Sequence, residues 1–209
     1  MSKSTYCTLY IARHGQTQWN VKGKMQGHKD SPLTPTGIKQ AKDLGKKLSQ
    51  IPFAAVFASD LLRASRTAQL IMLEHQLTIQ TTKLLRERNF GKHEGKTLSE
   101  IQHLFDVFNT LGESAKFKHQ LDSDVESDEQ LVARLITFLR EISLVYPGKN
   151  VLIVTHAGMI RALLIHLGFA NYKELGRGTI KNTAYVKLES DGVDFFIKDT
   201  IGVEKRPVI

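Results

Sequence analysis

Leu9-Tyr10-Ile11-Ala12 runs into Arg13-His14-Gly15, and Leu152-Ile153-Val154-Thr155 runs into His156-Ala157-Gly158. Each apolar run reads as a buried strand, and each delivers a histidine at its carboxyl end, where glycine lets the chain turn out. In open α/β sheets ligands collect at that edge. Two histidines at two such strand ends would face each other across one crevice. One histidine so placed reads as a hydrogen-bonded structural residue; the repeated pattern is what points to a site.

Outward from these two runs, strands alternate with helices. Thr34-Pro35-Thr36 opens a helix, with Thr as cap and Pro at the first helical position. Ile38, Ala41, Leu44 and Leu48 carry its apolar face at helical spacing. Residues 54–58 form a second buried strand, and Ser59 ends it and caps a helix beginning near Leu61. Residues 77–81 read as a short strand. Ser127, with Gln130 three residues on, makes a capping-box pattern before a long helix striped by Leu131, Leu135, Phe138, Leu139 and Ile142. After the strand at 151–155 comes a helix over about 158–167. The last strands, 183–188 and 195–198, join through Asp191-Gly192, a hairpin signal.

The alternation predicts an α/β fold with a mostly parallel central sheet and helices on both faces. The mixed, polar stretch from Thr97 to Glu126, with Phe105, Phe108 and Phe117, fits that scheme less well. We expect one domain over residues 1–209, with 96–126 inserted as a small helical cap over the carboxyl-end site.

Hydrophobic residues make up 41% of the 209 and charged residues 24%, enough to bury a sizeable core and to exclude disorder. The formal net charge of +8 suits acidic ligands. The lysines are scattered with no basic run, so most of the excess solvates the surface. The single cysteine, Cys7, lies in the first strand, forms no internal disulfide and reads as a small buried hydrophobe. Residues 1–10 lack a signal-peptide layout, and no segment reaches the roughly 20 apolar residues needed to span a bilayer. A cytoplasmic protein is expected.

Further groups converge on the same sheet edge. Arg63 falls in the first turn of the helix after the second strand, where cations are disfavoured unless they reach an anion; Arg66 reads as surface. The charged, glycine-rich loop Leu85-Arg86-Glu87-Arg88-Asn89-Phe90-Gly91-Lys92-His93-Glu94-Gly95 follows. A carboxyl brought beside a phosphate holds its proton more tightly and suits a general acid for an alkoxide leaving group. Glu87 and Glu94 both qualify, and local sequence does not choose. Two histidines, two arginines and a carboxylic acid suit phosphoryl transfer, where positioning and charge neutralisation supply most of the rate.

These residues resemble the signatures of the histidine phosphatase superfamily, the phosphoglycerate-mutase-like group. Arg13-His14-Gly15-Gln16-Thr17 with Asn20 is similar to its opening element, and Ser59-x-Leu61-x-Arg63-Ala64-x-x-Thr67-Ala68 to its second. Leu85-x-Glu87-x-x-Phe90-Gly91-x-x-Glu94-Gly95 resembles its acid loop, and Thr155-His156-Ala157-Gly158 its closing element. The resemblance covers nearly the whole chain and implies the roles. His14 would be the nucleophile, Arg13, Arg63 and His156 would hold phosphate oxygens, and Glu87 would be the acid. Thr17, Asn20 and the Ala157 amide would touch phosphate, with Gln26 and Gly27 lining the pocket. It implies no metal and no cofactor. His93 stands where many relatives carry an aromatic or an amide; it alters the pocket rim or faces solvent.

Between Thr97 and Glu126 there is no arginine, only Lys116, Lys118, His103 and His119 among the basic groups. Mutase relatives carry a longer, arginine-rich insertion, so the expected reaction is hydrolysis of a small phosphorylated metabolite, with mutase-type transfer as the alternative. Gly91 to Gly95 has one residue too few between its glycines for a P-loop. No His-Glu-x-x-His or cysteine pair marks zinc, and no finger, basic zipper or RNA-binding motif supports nucleic-acid binding. Whether the chain forms a homo-oligomer is open, as is whether Arg88 or Arg161 reaches the pocket.

Overall fold

In the computed structural model, which describes residues 6–73 and 77–207, the first strand, β1 (Cys7–Arg13), sits inside the sheet with helices on both sides of it. In chain order there follow α1 (Gln18–Val21), α2 (Pro35–Leu48), β2 (Phe53–Ser59), α3 (Leu62–Ile71) and β3 (Ile79–Thr82). Next come α4 (Gln102–Thr110), α5 (Glu113–Lys118), α6 (Asp128–Val145), β4 (Asn150–Thr155), α7 (Ala157–His166), β5 (Ile180–Ser190) and β6 (Phe195–Val203). The strand order is β3-β2-β4-β1-β5-β6.

The sheet is α/β and mostly parallel, as the alternation predicts: β1, β2, β3 and β4 run parallel. β5 runs antiparallel beside β1, and β6 returns antiparallel through the 191–194 turn. In that turn Gly192 takes φ +95° and the Asp191 carboxylate accepts the Val193 and Asp194 amides at 2.9 Å each. β5 and β6 exceed their predicted cores because each pairs over most of its length, and β3 begins at Ile79, two residues later than expected.

Side chains of a strand alternate between faces, so the apolar runs of β1 and β4 feed two cores. Leu9, Ile11, Val151 and Ile153 pack against α6 and α7 through Leu131, Leu135, Leu139 and Leu163. Tyr10, Ala12, Leu152 and Val154 pack against α2 and α3 through Leu44, Leu48, Ala64 and Ala68. Burying each large aliphatic side chain contributes about 1.5–3 kcal/mol. The capping box of Ser127 and Gln130 forms as read, and Thr34 caps α2 with Pro35 at its first position.

Two local expectations are corrected. Ile38 is 37% exposed; the packed face of α2 instead includes Gly37 and Gly45, where the helix meets backbone too closely for a side chain. Ser59 does not cap α3. Its hydroxyl accepts from Leu61 at 3.3 Å, and the helix amides of Leu62 and Arg63 are taken by Asp30, which arrives from a separate loop. The 96–126 segment contains α4 and α5; it attaches through Phe117, which stacks on His166 at 5.7 Å, and Phe108, edge-on to Tyr172 at 5.6 Å.

A Cβ on Gly37 would run into the Gln16 carbonyl, and one on Gly15 into the Gly37 carbonyl. Gly37→Ala should therefore destabilise by about 2 kcal/mol or more in urea unfolding, since backbone must move; an unchanged midpoint would refute the close contact. Asp30→Ala should cost about 1–2 kcal/mol or more by the same measurement, since it removes both the N-cap and the carboxylate paired with Arg63; an unchanged midpoint would refute both roles.

Candidate active site

His14 leaves β1 with its amide bonded to the Thr155 carbonyl at 3.0 Å, which ties the two histidine-bearing strand ends together. The ring is 3% exposed, and its Nδ1 lies 2.7 Å from the Gly15 carbonyl oxygen. An acceptor there holds the proton on Nδ1, so Nε2 carries the free lone pair. His156 follows β4 directly, fully buried, with ring centroids 5.2 Å from His14. Neither ring nitrogen of His156 has a hydrogen-bond partner among the described residues. Burial, then Arg63, holds both imidazoles well below the usual histidine range.

Arg63, buried, and Arg13, half-buried, supply positive charge beside these rings. Arg13 donates from Nη1 to the Ile180 carbonyl at 2.6 Å and leaves Nε unpaired. Burial pulls Arg13 down to about 10, with Glu87 opposing, so it remains a cation at neutral pH. Arg63 is 1% exposed. Its Nη2 donates to the Gly27 carbonyl at 2.7 Å and its Nη1 to Asp30 at 3.0 Å, while Nε again has no partner. The anion that this first-turn arginine meets within the chain is thus Asp30.

Geometry separates the two candidate acids. Glu94 is consumed by the loop: its carboxylate accepts the His28, Lys29 and Phe90 amides at 2.7, 2.9 and 3.2 Å. Glu87 instead reaches the first turn of α7, accepting the Gly158 amide at 3.0 Å and its neighbour Arg88's amide at 2.8 Å. It lies within Coulombic reach of Arg13 and Arg63.

The remaining predicted residues mostly brace one another. The Thr17 hydroxyl donates to Gln26 at 3.1 Å and accepts the Asn20 amide at 3.2 Å, while Asn20 Oδ1 accepts the Thr17 amide at 3.1 Å. Gly27, at φ +56°, turns where a Cβ would strike Glu94, and its carbonyl holds Arg63. Ala157 opens α7, where first-turn amides point away from the helix body.

Sequence reasoning gave no role to the groups that hold the backbone of His14 and Gly15. Asn182 donates to the His14 carbonyl at 3.1 Å and to Asn20 Oδ1 at 3.3 Å, and Thr183, at φ +57°, donates to the same carbonyl at 3.4 Å. Thr67 accepts the Gly15 amide at 3.1 Å and donates to the Arg63 carbonyl at 2.6 Å. A non-glycine residue at positive φ is not legible from a strand pattern.

His93 does not face solvent: it is 4% exposed and bonds Asp122 at 3.0 Å. The acidic residues that follow α5 brace the loop around it. Asp122 also pairs with Lys92, Asp124 accepts the Lys92 amide, and Glu126 pairs with Arg134. Arg88 turns away from the histidines to Asp128 and the Glu126 carbonyl. A separate cavity of about 650 Å³ opens between α5 and the end of α7, and no predicted site residue lines it.

The sequence profile of the histidine phosphatase superfamily (branch 1) matches residues 9–200. The uncharacterized phosphatase PhoE of Bacillus subtilis (strain 168) is 31% identical over 90% of this chain and 91% of its own. The broad-specificity phosphatase YOR283W of Saccharomyces cerevisiae is 35% identical over 79% of this chain and 72% of its own. The crystal structure of phosphoglycerate mutase from Bacillus anthracis str. Sterne superposes with a TM-score of 0.82 at 29% identity, covering 96% of this chain and 95% of that one. The chain belongs to the histidine phosphatase superfamily, branch 1.

Proposed function

We propose that the protein hydrolyses small phosphomonoesters through a phosphohistidine on His14 Nε2. The observation that carries this reading is the contact of Nδ1 with the Gly15 carbonyl at 2.7 Å, which leaves Nε2 as a neutral nucleophile beside an unpartnered His156. In the first step Nε2 attacks phosphorus as the bond to the alcohol oxygen breaks, and Glu87 gives that oxygen its proton. In the second, Glu87 takes a proton from water, the water oxygen attacks phosphorus, and the N–P bond breaks to release inorganic phosphate. The unpaired Nε atoms of Arg13 and Arg63 and the ring of His156 are the donors suited to the equatorial oxygens. Splitting one displacement into two lowers each barrier, and neither step needs a metal.

Hydrolysis is favoured over mutase transfer because α4 and α5 bring no arginine to hold a second phosphate. The net charge of +8 favours an anionic metabolite, and the sequence holds no nucleic-acid-binding motif. Among the described residues no helix is long and apolar enough to cross a membrane. A cytoplasmic location is the reading that the unpaired, buried Cys7 supports.

With p-nitrophenyl phosphate and excess chelator, the wild type should turn over and His14→Ala should lose at least 10³-fold, roughly the scale of removing a covalent nucleophile. Turnover that survives in His14→Ala would overthrow the mechanism; a wild type active only in a 3-phosphoglycerate mutase assay would favour the alternative. Glu87→Gln should slow alkyl phosphates far more than nitrophenyl phosphate, whose leaving group needs little protonation. Equal losses would remove Glu87 from the acid role.

Because both histidines are held below 6.5 in the fold, they stay neutral where an unfolded chain takes up protons. Their contribution to stability is present above pH 6.5 and lost as pH falls below it. The acid limb of kcat/KM should likewise lie below pH 6.5; a limb at or above that value would mean that His14 is charged in the free enzyme.

A further inference from the structure

A general acid must be held in place, yet Glu87 sits on a stretch without regular structure, between short turns at 83–85 and 91–93. Backbone carbonyls in such a loop need donors from outside it. Two side chains supply the Glu87 carbonyl: His28 Nε2 at 3.1 Å and Arg134 Nη2 at 3.0 Å. Arg134 also donates from Nη1 to the Leu84 carbonyl at 2.7 Å, and its Nε and Nη2 hold the two oxygens of Glu126 at 2.7 and 3.0 Å. Glu126 extends the grip. Its Oε2 accepts the Asn89 amide at 3.2 Å, and its own amide donates to the Asn89 carbonyl at 3.0 Å.

The anchor of this clamp is rigid. Arg134 stands on α6 beside Leu131 and Leu135, both fully buried in the core. A lone ion pair in water contributes little, but a planar guanidinium that meets one carboxylate and two carbonyls fixes the loop against the helix at two points. The clamp spans Leu84 to Asn89, with Glu87 inside it. From there the Glu87 carboxylate reaches the Gly158 amide at 3.0 Å. The charge of Arg134 is also felt at His156, so the clamp adjoins the phosphate pocket.

We propose that Arg134 and Glu126 are positioning residues that hold the Glu87 carboxyl at the leaving-group oxygen, with His28 as a second support of the same carbonyl. The proposal rests on the phosphatase reading and deepens it: the acid is set from α6 through its backbone, by side chains that touch no substrate.

The test compares an alkyl phosphate, glycerol 3-phosphate, with p-nitrophenyl phosphate. Arg134→Gln should lower kcat for the alkyl ester by about 10- to 100-fold, the scale of a catalytic group displaced by about one ångström. The nitrophenyl ester, whose leaving group needs little protonation, should lose about 3-fold or less. KM should change little for either. Arg134→Lys keeps the charge but not the planar fork and should recover only part of the loss. Glu126→Gln, which conserves shape and serves if Arg134→Gln does not fold, should show the same leaving-group pattern to a smaller degree. The double variant should be no worse than Arg134→Gln alone, because the two side chains act as one unit. Equal losses on both esters would reduce the clamp to a structural brace and overturn the proposal; so would an undiminished kcat on both.

A second readout needs no turnover. Gly158 is the second residue of α7, so its amide has no partner within the helix and depends on the Glu87 carboxylate. Arg134 meets Glu87 at the backbone carbonyl, not at this amide. In Arg134→Gln, hydrogen exchange at Gly158 should rise by about 10-fold or more, toward the rate in Glu87→Ala. Unchanged exchange there would overturn the proposal whether or not the phosphatase reading stands. Turnover surviving in His14→Ala would sink that reading alone and leave the exchange at Gly158 to judge the clamp.

Discussion

The hydrogen bond from the His14 amide to the Thr155 carbonyl, 3.0 Å, closes the parallel ladder between β1 and β4 at its carboxyl end. Everything in the candidate site depends on that register. It brings Arg13 level with Thr155, so the next residue on each strand is a histidine and the two rings meet edge to face. A slip of one residue would turn one apolar run over relative to the other and send the two rings to opposite faces. The same strands are locked from both sides, because the residues that fix their register also form the two cores.

Around this register the protein concentrates positive charge and keeps water away. Arg13, Arg63, Arg88 and Arg161 all lose proton affinity through burial, yet all remain cations. Their partners are chiefly carbonyl oxygens and shared carboxylates, which orient a guanidinium without cancelling its field. Desolvated charge of this kind binds an anion far more strongly than the same charge at a surface. The neutral histidines follow from the same arrangement, since burial and then the neighbouring arginines disfavour an imidazolium.

How much could be read in advance depended on range along the chain. The strand ends, the Thr34 cap and the box of Ser127 with Gln130 were legible because each is settled within about four residues. The α3 cap was misassigned to Ser59 because the true partner, Asp30, comes from another loop. Nothing local distinguished Glu87 from Glu94; the family resemblance chose between them, and the structure gives the physical reason, three amides claiming the Glu94 carboxylate. Asn182 and Thr183 were invisible for the same cause, since their contacts to His14 span most of the chain.

The position of β1 in the strand order also governs when the site can exist. The strand leaves the ribosome well before its neighbours β4 and β5, with Thr8 beside Asn150 and Cys7 beside Ser190. During synthesis its two hydrogen-bonding edges stay unclaimed until β4 and then β5 have appeared. Closing contacts so distant in sequence is slow, and an apolar strand waiting for partners is prone to pair wrongly. The helices α2 and α3 and the strand β2 are made in the interval and can cover one side of it. The pocket around His14 is therefore assembled only after β5 has been made, and a chain that stops before β5 would leave one edge of β1 unpaired.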